Sequence, residues 1–160
     1  MTHRSAFILL FAVAAAGCGQ AAPSVDVAAI CQQVDARYGG FDDTLAVARA
    51  AGADYLDTVA RCLQRDPRAM HTLFWLTGHA RFDAASSEGN AQVLHDVLRD
   101  VGERFYAGCL NAEPAEVRDE VRAALLYDMG WGNVETLKFS EIQALWPKVF
   151  PETYDPNRDG

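Results

Sequence analysis

The chain has 160 residues, and its 22 acidic against 14 basic side chains give a net charge of −8 with the histidines neutral. That balance lacks the positive footprint that phosphate backbones require and gains no attraction from anionic headgroups, so it argues against nucleic acid as a partner and brings no membrane contact of its own. The length supports one hydrophobic core.

In chain order, the first feature is the stretch "AFILLFAVAAAGCGQAAP". Its residues 6–17 are uncharged and mostly apolar, whereas a helix crossing a bilayer needs about 20 such residues. Arg4 stands before the run and small residues follow it, which is the order of a secretory signal. An N-terminal core helix is the plain alternative, disfavoured because the run has neither a polar face nor a cap.

Ala15-Ala16-Gly17-Cys18 resembles the lipobox of bacterial lipoproteins, with Ala where Leu is commonest. The resemblance implies a signal peptide over residues 1–17, a diacylglycerol on Cys18 and a short lipidated linker over residues 18–24. One acyl chain such as palmitate anchors marginally, whereas two or three hold firmly. Gly19 in place of Asp points to the outer membrane, with the protein facing the periplasm. Cleavage at a nearby Ala-x-Ala site would instead leave Cys18 an ordinary thiol.

Cys31, Cys62 and Cys109 then remain in a compartment where disulfides persist. Their spacing is not that of a zinc knuckle, a redox Cys-x-x-Cys or a haem attachment site. One structural bridge is expected, as Cys31 to Cys62 or Cys62 to Cys109, with free buried thiols as the alternative.

From Val25 onward the apolar residues keep helical spacing, and nothing alternates as a strand does. The expected fold is all-α, a small bundle or irregular array of about six or seven helices over residues 25–146, followed by an extended tail over 147–160. Val27, Ile30, Cys31, Val34 and Tyr38 mark one face of a first helix that Gly39-Gly40 ends. The segment from Asp42 to Arg65 reads as two helices broken at Gly52, with Asp54 capping the second. Unbroken, it would leave Cys62 about 20 Å beyond the reach of Cys31.

Asp66-Pro67 opens the next helix, with a capping acid before proline at the first helical position. Its apolar face is Met70, Leu73, Phe74, Leu76 and Thr77. Ala91, Leu94, Leu98, Val101 and Phe105 predict one long helix from about residue 84 or 87 to Cys109. Glu113-Pro114 starts another, which carries Val117, Val121, Ala124 and Leu125 and ends at Gly130. Ser140 with Gln143 caps a last short helix that Pro147 stops near Trp146.

Few residues offer chemistry. His71, Trp75 and His79 share one side of a helix, but the two histidines are separated by about 12 Å of rise, while each ligand of a zinc ion lies within about 2.1 Å of it. A polar, solvated stripe is expected there, and no metal or cofactor. His95 reads as a surface residue. The stretch "SSEGN", residues 86–90, resembles the catalytic Glu of helical lytic transglycosylases, which act on peptidoglycan. Glu88 would then be the catalytic residue, although it precedes Gly where the family has Ser, and the family's later Gly-rich stretch is absent. The other class, a non-catalytic module that binds an envelope or periplasmic protein as an assembly factor or an inhibitor of immunity type, draws on Trp131, Phe139, Trp146, Phe150 and Tyr154 near the end of the chain.

Overall fold

A computed structural model describes residues 26–128 of the chain, with side chains to residue 126. Every regular element among the described residues is a helix: α1 (Val27–Tyr38), α2 (Asp42–Ala50), α3 (Tyr55–Leu63), α4 (Pro67–His79), α5 (Ala84–Val101), α6 (Glu103–Leu110) and α7 (Ala115–Asp128). The expected all-α bundle is what forms.

Most helix starts follow from single residues. Asp26, Asp54, Asp66 and Asp83 stand just before α1, α3, α4 and α5, and each carboxylate accepts a backbone N–H of the first turn, supplying a partner that the helix itself cannot. Asp83 goes further: Ser86 N–H donates to its carboxylate at 3.1 Å while Asp83 N–H donates to Ser86 Oγ at 2.8 Å, a reciprocal capping box. Gly52, with φ of 83°, breaks the segment between α2 and α3.

The long helix expected up to Cys109 is in fact two. Gly102 takes φ of 82° and ψ of 145°, which ends α5 and begins α6. The apolar spacing continues across this elbow, with Val101 buried and Phe105 packed against the core, so periodicity alone runs on where the backbone turns. The first helix also differs from expectation: Val34 and Tyr38 are buried, but Val27 is 49% exposed and Cys31 faces solvent. α1 packs chiefly on α3, with Ile30 partly covered and Val34 and Tyr38 fully so.

Met70, Leu73, Phe74 and Leu76 are completely enclosed where α4 meets α3, α6 and α7, and α5 packs on α7, α2, α3 and α6. Phe74 meets Tyr106 edge to face at 4.9 Å between ring centres. Small residues set the closest approaches. A Cβ on Gly78 would come within 3.1 Å of Val117, and one on Gly89 would run into Thr44 Oγ1. The Thr44 hydroxyl donates to Ser86 O at 3.0 Å, which ties α2 to α5.

Buried polar groups tie the helices together. Tyr55 donates to Asn90 Oδ1 at 2.8 Å, and Asn90 Nδ2 donates to Thr77 Oγ1 at 3.1 Å, linking α3, α5 and α4. Tyr38 donates to Asp96 at 3.0 Å, and the same carboxylate takes Arg37 at 2.6 Å and Arg99 at 2.9 Å. Among the described residues no helix is long and apolar enough to cross a membrane.

Candidate functional site

The outward face of α4 stands out because its inward face is filled so completely. Ala69, Met70, Leu73, Phe74 and Leu76 point into the core, and the helical period then turns Arg68, His71, Trp75 and His79 toward solvent. Trp75 is 39% exposed, and among the described residues only Val27 accompanies it as an exposed large apolar side chain. The indole is held in place: His79 stacks on it at 5.1 Å with 10° between the ring planes. His79 Nδ1–H donates to Trp75 O at 3.0 Å, since a carbonyl can only accept.

At the other end of the face, His71 Nδ1–H donates to Glu113 Oε1 at 2.8 Å. The Glu113 side chain is 5% exposed and that of His71 62%, so a buried carboxylate at the start of α7 anchors an exposed imidazole. The histidines therefore have separate partners, and among the described residues no three His, Cys, Asp or Glu side chains come together as a metal site.

Charge is distributed unevenly around this face. Residues 60–81 contain Arg61, Arg65, Arg68 and Arg81 with His71 and His79, against the single acid Asp66. Arg61 binds Asp66 at 2.6 Å. That hydrogen bond, together with the backbone N–H of Arg68, holds the Asp66 carboxyl below the usual carboxylate range. Arg65 reaches Val101 O at 2.8 Å and lies over the Phe105 ring.

Glu88 sits elsewhere, exposed at the edge of a groove of about 700 Å³ between the start of α2 and α5, which Asp42, Asp43 and Gln92 also line. A catalytic acid of the transglycosylase class works from an apolar setting, whereas Glu88 is exposed in a groove that two further acids line. Its neighbours in the transglycosylase-like stretch have structural roles: Ser86 completes the α5 capping box, and Asn90 joins Tyr55 to Thr77.

Cys31, Cys62 and Cys109 are all free thiols in the structure. Cys62 is wholly enclosed, and burial, reinforced by Asp66 and Cys109, pushes its thiol far above the ordinary value. Burial and Glu113 raise Cys109 as well. Neither is an activated nucleophile, which would need a lowered pKa. Cys18, Trp131, Phe139, Trp146, Phe150 and Tyr154 lie outside the described residues.

Sequence reasoning placed Trp75 in a polar stripe and looked for binding aromatics near the end of the chain. The signal that finds the α4 face is the four-residue His-Trp-His spacing opposite the Met70-Leu73-Phe74 face, together with the scarcity of acids from residue 60 to 81. Known protein families, characterised proteins and solved structures provide no match to the chain.

Proposed function

We propose that the chain is a cell-envelope lipoprotein, anchored through Cys18 and facing the periplasm from the outer membrane, that works by binding a protein partner as an assembly factor or an inhibitor of immunity type. The observation that carries the binding role is Trp75, an exposed indole fixed in orientation by His79. Tryptophan and arginine are the residues most enriched where binding energy concentrates, and a side chain held in one orientation loses little freedom on docking. The anchoring rests on the lipobox-like Ala15-Ala16-Gly17-Cys18.

Four measurements test this reading. Mass spectrometry of the native product is expected to find an acylated Cys18 at the new N-terminus, and Cys18→Ser is expected to release the protein from membranes; an unmodified thiol in an uncleaved chain overturns the anchor. Crosslinking in the envelope is expected to give one specific adduct that Trp75→Ala, Trp131→Ala or Trp146→Ala diminishes. Release of soluble fragments from purified peptidoglycan, abolished by Glu88→Gln, would replace the binding role with a catalytic one.

A further inference from the structure

We propose that the outward face of α4, centred on Arg68 and Trp75, docks a carboxylate-rich extended segment of a protein partner. The inference rests on the binding role above and adds the chemistry of the partner. Its basis is charge complementarity within an acidic molecule. Among the described residues, the stretch before residue 60 has Asp26, Asp35, Asp42, Asp43, Asp54 and Asp57 against Arg37 and Arg49, and acids again predominate after residue 81. An acidic segment is repelled by those surfaces, whereas α4 itself contains no Asp or Glu, and the two acids that touch its face, Asp66 and Glu113, are already held by Arg61 and His71. Like charges elsewhere thus direct the partner to one helix.

The dimensions of the face narrow the choice further. From Arg68 to His79 the helix rises about 16 Å, the length of roughly five residues of extended chain. Arg68 and Trp75 are two turns apart on the same side, so a carboxylate on the first and an apolar group against the second fit a short extended peptide. Nucleic acid and other polyanions fit poorly, because affinity for them comes from neutralising many phosphates. Arg61 is already paired with Asp66, and Arg65 with the Val101 carbonyl. What remains on α4 is the Arg68 guanidinium two turns from the fixed indole, with Arg81 exposed just past the helix end, an arrangement suited to a specific contact.

The test uses the full chain, a fluorescent ten-residue peptide of alternating Glu and Leu, its Lys counterpart and a polyphosphate of similar charge, read by anisotropy. The Glu peptide is expected to bind, with Arg68→Glu and Trp75→Ala each weakening it roughly tenfold or more, while Arg49→Glu on α2 stays within about twofold. Circular dichroism of each variant shows that the helices persist. No binding of the Glu peptide, equal binding of the Lys peptide or the polyphosphate, or an equal loss in Arg49→Glu overturns the inference. Dimers in sedimentation that Arg68→Glu abolishes would assign the face to a second copy and overturn it as well. An envelope adduct that depends on Trp131 or Trp146 but not on Trp75 would sink this inference while leaving the binding role intact.

Discussion

Three enclosed tyrosines show how much depends on a single partner atom. Tyr38 donates to the Asp96 carboxylate and Tyr55 to Asn90, whereas the Tyr106 hydroxyl is buried without a hydrogen-bond partner. Removing a hydroxyl that makes a buried bond costs about 1 kcal/mol and leaves its partner unsatisfied, while removing one that makes none relieves a desolvation penalty. Tyr38→Phe and Tyr55→Phe are therefore expected to lower the unfolding free energy by about 1 to 2 kcal/mol, and Tyr106→Phe to leave it unchanged or raise it. Urea denaturation of the three variants checks this, and a large loss in Tyr106→Phe would contradict it. The spacing of Tyr38 placed it on a core face, but no local pattern shows that its partner stands 58 positions away. The same limit hid Glu113 beneath His71. Pairings of this kind arise only when separate helices meet.

Among the helices, boundaries marked by a capping acid or by paired glycines were legible, and the elbow at Gly102, a lone glycine with neither, was not. Asp54, Asp66-Pro67 and the Gly39-Gly40 stop all act where the sequence places them. Gly102 escaped because the apolar repeat through Val101 and Phe105 stays in step across the elbow. Its positive φ makes it costly to replace, and Gly102→Ala is expected to destabilise by about 1 kcal/mol. Gly89→Ala tests a different cause. Its backbone is ordinary, but the added methyl would press on Thr44 Oγ1 and come within 3.1 Å of Phe41. The expected loss is about 1 to 3 kcal/mol, and Thr44→Ser, which removes a methyl group and keeps the hydroxyl, should not restore it. Thermal unfolding of both glycine variants measures the two losses, and no loss in either would contradict the cause given for it.

At the scale of the whole molecule, two capping carboxylates near the surface and four buried thiol and phenol groups define a window of stability. The Asp83 carboxyl, held low by the Ser86 hydroxyl and N–H, and that of Asp66, held low by Arg61, bind fewer protons folded than unfolded. Their contribution is complete above the unfolded carboxylate value of about 3.9 and is lost as pH falls through the lower folded values. Cys62, Tyr38, Tyr55 and Tyr106 are shifted upward by burial. They stabilise fully below their unfolded values near 9 and 10 and lose that contribution as pH rises beyond them. The urea midpoint is expected to be nearly level from about pH 5 to 8 and to fall on both sides. Asp83→Asn, which still caps the helix, should flatten the acid limb, and an unchanged limb would contradict this origin. The sequence disclosed the total charge of the chain, but the basic stretch gained meaning only once α4 was seen to turn Arg68, His71 and His79 outward.

Arg65 joins two corners of the fold. It holds the bend after α3 with a left-handed φ of 59°, and its guanidinium caps Val101, 36 residues further on, at the end of α5. Helix ends ordinarily fray independently, but here loosening one corner withdraws the cap from the other. Their amide protons should accordingly trade with deuterium in concert, and trimming this side chain to Ala should let each corner breathe at its own pace.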